Sequence, residues 1–311
     1  MATAFIYPGQ GAQYVGMAKD LYDAFPKVKE IYKKANDILG FDLADISFNG
    51  PDDKLKQTFI TQPAIFTHSY VLTYLLKQKI TAEYTAGHSL GEYSALVYAG
   101  ALGFEGGLKL VKLRGELMQK AGDMQKGTMA AVMGLEEDAL VDICNEASSD
   151  GIVQVANFNS PGQIVISGSV EGVKSAMALA KEKKAKLVKE LVVHGAFHSP
   201  LMEPAKEKFK EALDNTAFDS LMIPVYANVS AEALTPISSP DEIRGSLLNQ
   251  LTSSVRWEQS VKNMIKDGAD EFIELGPGKV LQGLVKRISD KVEIKGFDKV
   301  KDLDSIPVSQ S

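Results

Sequence analysis

Tyr84-Thr85-Ala86-Gly87-His88-Ser89-Leu90-Gly91-Glu92 is the stretch on which the fold turns. Residues 84–86 read as a short strand, and an apolar helical pattern runs from 89 to 99. Gly-x-Ser-x-Gly between a strand and a helix marks a nucleophile elbow, a sharp turn that lifts a serine above an α/β sheet. The two glycines permit the tight turn and close packing beside the serine. The helix start aims free N–H groups and a positive dipole end at the same spot. An oxyanion forming there is stabilised, with the Leu90 N–H as the natural donor. Ser89 is therefore the candidate nucleophile.

Outward from the elbow, residues 4–7 read as a buried strand stopped by Pro8-Gly9. Helical patterns cover about 14–25, 28–39, 61–79 and 105–121. Between about 127 and 196 the pattern changes. Strands at 128–133, 152–157, 163–167 and 187–192 enclose helices at 136–148 and 170–184, with a turn at Asn159-Ser160-Pro161-Gly162. That β-α-β-β-α-β order is the ferredoxin-like split motif. Helices at about 200–213, 240–267 and 279–289 then alternate with strands at 223–227 and 271–275, which predicts a mainly parallel sheet. The expected fold is α/β: a hydrolase-like large domain from residues 1–126 and 197–311, carrying an inserted ferredoxin-like (α+β) small domain at 127–196. Residues 305–311 read as a loose tail.

A serine nucleophile needs a base. The chain has 4 histidines to supply one. His88 adjoins Ser89, but its side chain should diverge at a sharp turn. His68 sits mid-helix and reads as a packing or surface residue. His194 and His198 share a loop, His194-Gly195-Ala196-Phe197-His198, and loops carry function more often than regular elements do. His198 is the better candidate. Pro8-Gly9-Gln10-Gly11-Ala12-Gln13 lacks the spacing of a nucleotide loop. It reads equally as a plain turn or as a second oxyanion donor after an early strand. Arg114, on an otherwise apolar helix face, reads by itself as a surface or ion-paired arginine. The alternative is a two-pronged grip on a substrate carboxylate.

Composition narrows the classes. A net charge of -6 argues against nucleic acid as a main partner. One cysteine, Cys144, excludes an intrachain disulfide, and its place in an amphipathic helix makes it a small core residue. No His/Cys grouping has metal-ligand spacing, so no metal is expected. No run approaches the ~20 apolar residues of a membrane span. The start of the chain lacks a basic, then apolar, leader. A cytoplasmic monomer without membrane contact is the expectation.

Together these blocks resemble the malonyl-CoA:acyl carrier protein transacylases of bacterial fatty acid synthesis. More broadly, they resemble the acyltransferase domains of polyketide and fatty acid synthases. The matching stretches are Pro8 to Gln13, Thr61-Gln62-Pro63-Ala64, Gly87 to Glu92, Arg114, Asn157 to Gln163, Ala196-Phe197-His198-Ser199, Gln250 to Trp257, and Glu274-Leu275-Gly276-Pro277-Gly278. The resemblance implies that Ser89 is acylated and that His198 is the base. The backbone carbonyl of Gln250 then orients His198 in place of an acid, and the N–H groups of Gln10 and Leu90 bind the oxyanion. It makes Arg114 the malonate carboxylate ligand, with Gln62, Asn157 and Phe197 as further substrate-binding positions. Malonyl-CoA and acyl carrier protein are the implied partners, CoA is released, and no resident cofactor is needed because phosphopantetheine arrives on the carrier. Leu90 and Ala196-Phe197-His198 agree with malonyl selection, whereas Gly195 stands where the synthase domains often have His. Lys181, Lys183, Lys184, Lys186 and Lys189 form one basic cluster for an acidic carrier; Lys279, Lys286 and Arg287 form another. A serine esterase or thioesterase shares the elbow but takes water as acceptor. A non-catalytic carrier-binding module is the third reading.

Overall fold

In the computed structural model, which describes residues 2–193 and 195–304, ten strands are described. They are β1 (Ala2–Tyr7), β2 (Tyr84–Gly87), β3 (Gly127–Met133), β4 (Val153–Ser160), β5 (Gln163–Ser169), β6 (Leu187–Glu190), β7 (Val225–Tyr226), β8 (Ala233–Leu234), β9 (Ala269–Leu275) and β10 (Glu293–Phe297). One sheet has the order β10-β9-β1-β2-β7-β8 and the other β4-β5-β3-β6. His194 and the tail expected at 305–311 lie outside the described residues.

The first sheet is parallel except for the short β7–β8 pair. β1 lies at its centre, and Thr3 to Tyr7 are all buried. An almost wholly apolar strand belongs where helices cover both sheet faces. β1 and β2 end together, with Tyr7 opposite Gly87, so the Pro8-Gly9-Gln10 loop emerges beside the elbow. The elbow depends on two close approaches. A Cβ on Gly91 would lie 2.0 Å from the Tyr7 carbonyl oxygen, and one on Gly87 would lie 1.8 Å from the Gly91 carbonyl carbon.

The second sheet is antiparallel throughout, and its order is that of the ferredoxin-like motif. Period-two alternation gives it two apolar faces. Ala130, Val132, Ile164 and Ile166 pack with helices Glu137–Ala147 and Val170–Glu182. Met129 and Val165 point the other way and join the core of the first sheet. Backbone bonds tie the second sheet to the segment between helices Pro240–Gln250 and Trp257–Lys266: Phe158 N–H to the Val255 carbonyl (2.9 Å) and Val255 N–H to the Ala156 carbonyl (2.8 Å).

Several boundaries differ from the sequence expectation. The helix expected at 14–25 is only Lys19–Ala24, because Gly16 and Ala18 take positive φ; Pro26 then starts Pro26–Leu39 as its first residue. The 61–79 helix is Thr58–Leu76. The helix after Ser89 begins at Gly91, because Ser89 itself has φ 51. The helices expected over 240–267 are Pro240–Gln250 and Trp257–Lys266. The strand expected at 223–227 shrinks to β7, and β8 and β10 went unanticipated. β8 has two residues, and β10, Glu-Ile-Lys-Gly-Phe, is an edge strand with too few apolar residues to signal itself.

Gly91→Ala should lower unfolding stability by about 1–3 kcal/mol or more, the cost of overpacking against a backbone that has no room to move. A denaturant titration checks it; an unchanged midpoint would mean that helix and β1 can separate without penalty.

Candidate active site

Ser89 sits on the turn between β2 and helix Gly91–Tyr98, in a left-handed conformation that non-glycine residues rarely adopt. A side-chain amide holds it there. The Ser89 N–H donates to Asn228 Oδ1 (2.6 Å), and Asn228 Nδ2 donates to the Gly87 carbonyl (2.7 Å). The Ser89 N–H is thus engaged by a side chain. Leu90 and Gln10 both line the cleft with Ser89. The Gln10 side chain is held only loosely, its Nε2 3.4 Å from Thr58 Oγ1.

His198 faces the serine from the loop after the second sheet. The Gln250 carbonyl can only accept, so His198 Nδ1–H donates to it (2.8 Å). Nε2 is then the acceptor for the Ser89 hydroxyl at 2.8 Å. Gln250 closes helix Pro240–Gln250, where terminal carbonyls lack intrahelical partners and carry the negative dipole end. That end takes the place of a triad acid. His198 also has a positive φ, 58°. Its carbonyl accepts from Gln154 Nε2 (2.7 Å), a β4 side chain that also reaches the Thr252 carbonyl (3.0 Å). Burial, and then the Arg114 charge, push the His198 imidazole down to about 3. It is neutral and ready to accept a proton at any ordinary pH.

Arg114 comes from helix Phe104–Met124 and is 1% exposed. Its Nη1 donates to Gln62 Oε1 (3.0 Å), and its Nη2 to Gln250 Oε1 (2.8 Å) and Ser89 Oγ (3.0 Å). The guanidinium lies 5.7 Å from the Tyr93 ring centre. Burial lowers its pKa; Tyr93 and Glu92 oppose that. The surface or ion-paired reading of Arg114 taken from spacing alone therefore does not describe it: it is a buried cation touching the nucleophile.

The other candidates separate. Asn157 and Phe197 line the cleft, with Met118, Met129 and Val165. His88 turns away from Ser89 and its Nε2 meets Asn159 Oδ1 at 2.8 Å. His68 is fully buried and bonds the Asp298 carbonyl (2.9 Å), a packing role far from the cleft lining. Cys144 is buried, and desolvation pushes its thiol up to about 12. Among the described residues no His/Cys/Asp/Glu group could hold a metal, and no helix is long and apolar enough to cross a membrane. Sequence reasoning missed Asn228, Gln154, Asn159 and Glu92. Glu92 and Asn159 left a trace, both lying in stretches that match the acyltransferases, and Glu92 is also a carboxyl in the first turn of a largely apolar helix.

Known proteins supply the context. Residues 4–307 match the acyl transferase domain family. A malonyl CoA-acyl carrier protein transacylase of Bacillus subtilis is 44% identical over 292 residues, 93% of this chain and 91% of that one. One from Haemophilus influenzae is 44% identical over 92% and 91%. Among solved structures, an acyl carrier protein S-malonyltransferase from Vibrio cholerae superposes with TM-score 0.94 at 40% identity, covering 98% of this chain and all of that one. A malonyl-transacylase in complex with a type II polyketide synthase acyl-carrier protein gives 0.93 at 37%, covering 98% and 99%.

With His198 held far below its ordinary 6.5, the acid limb of kcat/KM for Ser89 acylation by an activated ester should lie well below that value. Arg114→Gln removes a charge that depresses it, so the limb should move up; a wild-type limb near 6.5 would contradict the burial. Asn228→Ala leaves the Ser89 N–H and the Gly87 carbonyl unpaired, at ~1–3 kcal/mol each. It should slow acylation at least about tenfold, read by burst kinetics.

Proposed function

The chain belongs to the acyl transferase domain family, and from that premise we propose that it carries malonyl from malonyl-CoA to acyl carrier protein through an ester on Ser89. In this reading it supplies malonyl units for fatty acid synthesis. The observation that supports the malonyl cargo is Arg114, a guanidinium 1% exposed and 3.0 Å from Ser89 Oγ. A buried cation is costly unless it is matched by charge. A site for uncharged acyl groups has no use for one there, whereas a malonyl carboxylate can take up the two-pronged grip that Arg114 offers.

The reaction is ping-pong. The Arg114 guanidinium takes the malonyl carboxylate, giving up the contact now made to Ser89 Oγ while Gln62 and Gln250 keep hold of it. Ser89 Oγ attacks the thioester carbon while its proton passes to His198 Nε2. The oxyanion lies between the N–H groups of Gln10 and Leu90. The C–S bond breaks, and CoA leaves as the thiol with the proton from His198. In the second half His198 takes the proton of the carrier's phosphopantetheine thiol, the sulfur attacks the malonyl ester, and the proton returns to Ser89 Oγ. Gln62 keeps Arg114 in line, while Asn157 and Phe197 flank the acyl group. No resident cofactor takes part. The enzyme works as a cytoplasmic monomer, where CoA esters and carrier meet.

The carrier must bring its arm to the cleft, which Val280, Leu281 and Leu284 help to line. Lys286 and Arg287 close the same helix, Val280–Ile288. In this reading the carrier docks on the second basic cluster, beside the mouth, rather than on the exposed lysines of 181–189.

Intact-protein mass spectrometry after exposure to malonyl-CoA should show one malonyl adduct, absent in Ser89→Ala; an adduct that persists puts the nucleophile elsewhere. With holo-carrier present, malonyl-carrier should exceed free malonate; the reverse outcome supports a hydrolase. Lys286→Glu with Arg287→Glu should raise the carrier KM about tenfold at low salt, as loss of electrostatic steering does. An unchanged KM would reject this face as the dock.

A further inference from the structure

Glu92 is fully buried three residues past the nucleophile, and the mechanism above does not use it. One of its oxygens, Oε2, accepts from Gln250 Nε2 (2.8 Å) and from the Asn228 N–H (3.0 Å). Those two residues bond in turn to Arg114, His198 and Ser89. Gln250 Oε1 receives Arg114 Nη2, its Nε2 also donates to the Ser89 carbonyl (3.0 Å), and its backbone carbonyl receives His198. Asn228 holds the Ser89 N–H and the Gly87 carbonyl.

A carboxamide has two nearly isosteric orientations, distinguished only by what its oxygen and nitrogen meet. At Gln250 the choice matters. With its oxygen toward Arg114, Nη2 has an acceptor; with its nitrogen there, two donors would face each other. We propose that Glu92 is the positioning residue that makes this choice: by accepting from Nε2 it turns Oε1 toward Arg114, and so sets the malonyl grip as well as the Ser89 turn. Glu92 touches neither the substrate nor His198. Its influence passes through one glutamine that serves the cation with its side chain and the base with its backbone. Burial pushes the Glu92 carboxyl up to about 7, opposed by these hydrogen bonds and by Arg114. A neutral or ionised carboxyl can both offer the required acceptor oxygen.

This rests on the malonyl reading, which is tested first: wild-type enzyme must be acylated faster by malonyl-CoA than by acetyl-CoA. If it is not, that reading fails independently of Glu92. Given discrimination, Glu92→Leu should lower the malonyl-to-acetyl ratio of acylation kcat/KM about tenfold or more, mainly through a raised malonyl-CoA KM. Glu92→Gln keeps an acceptor oxygen and should recover most of the ratio. Gln250→Met retains the backbone carbonyl but loses the amide, so it should reproduce the loss of ratio. Adding Glu92→Leu to it should lower the ratio no further. Gln250→Met also carries the test if Glu92→Leu does not fold. An unchanged ratio in Glu92→Leu or in Gln250→Met overturns the proposal. So does a Glu92→Gln variant as impaired as Glu92→Leu, which would assign the effect to charge.

Discussion

A guanidinium placed out of water beside a nucleophile has to be satisfied from within, and the site is organised around that demand. Removing one partner of a buried charge typically costs about 3–5 kcal/mol, because the other charge is stranded. Arg114 meets the demand at Nη1 and Nη2 with neutral oxygens, from Gln62, Gln250 and Ser89, and with the Tyr93 ring face, while its buried Nε has no hydrogen-bond partner among the described residues. Neutral partners leave its charge largely uncompensated nearby, apart from the Glu92 carboxyl held beyond Gln250. That residual field serves two ends. It suits an incoming carboxylate, and it helps to keep His198 unprotonated.

The second sheet contributes more than a wall to the cleft. Gln154 on β4 holds the His198 carbonyl, and Ser254 Oγ donates to the Val155 carbonyl (2.6 Å) of the same strand. The base therefore rests on one sheet and the nucleophile on the other. Ser89 and His198 both have positive φ, and each is held by a side-chain amide, Asn228 for Ser89 and Gln154 for His198. Strain of this kind survives only where its surroundings over-determine it.

Much of this was legible in the residues. The β-α-β-β-α-β order of 127–196 announced the ferredoxin-like sheet, and Gly87 and Gly91 announced the elbow. The parts that stayed hidden are those that local pattern does not encode. β10 is an edge strand whose alternation is mostly polar. The break between Gln250 and Trp257 carries no Gly or Pro, yet it is what frees the Gln250 carbonyl for His198. Asn228 and Gln154 are ordinary amides in sequence; they matter through bonds to residues 139 and 44 positions away.

The sequence by itself determined the turn that carries Ser89, since strand, two glycines and helix are contiguous and their sterics are local. It also determined the α/β class, through periodicity. From residue patterns alone, Arg114 remained a surface cation and Gln250 an unremarked helix residue; only the resemblance to known acyltransferases gave them roles. Tertiary structure decided the geometry. Folding brings helices Thr58–Leu76, Phe104–Met124 and Pro240–Gln250 around one serine. Burial and donor–acceptor matching then dictate which oxygen faces the cation and which carbonyl faces the base, and both are properties of the packed interior.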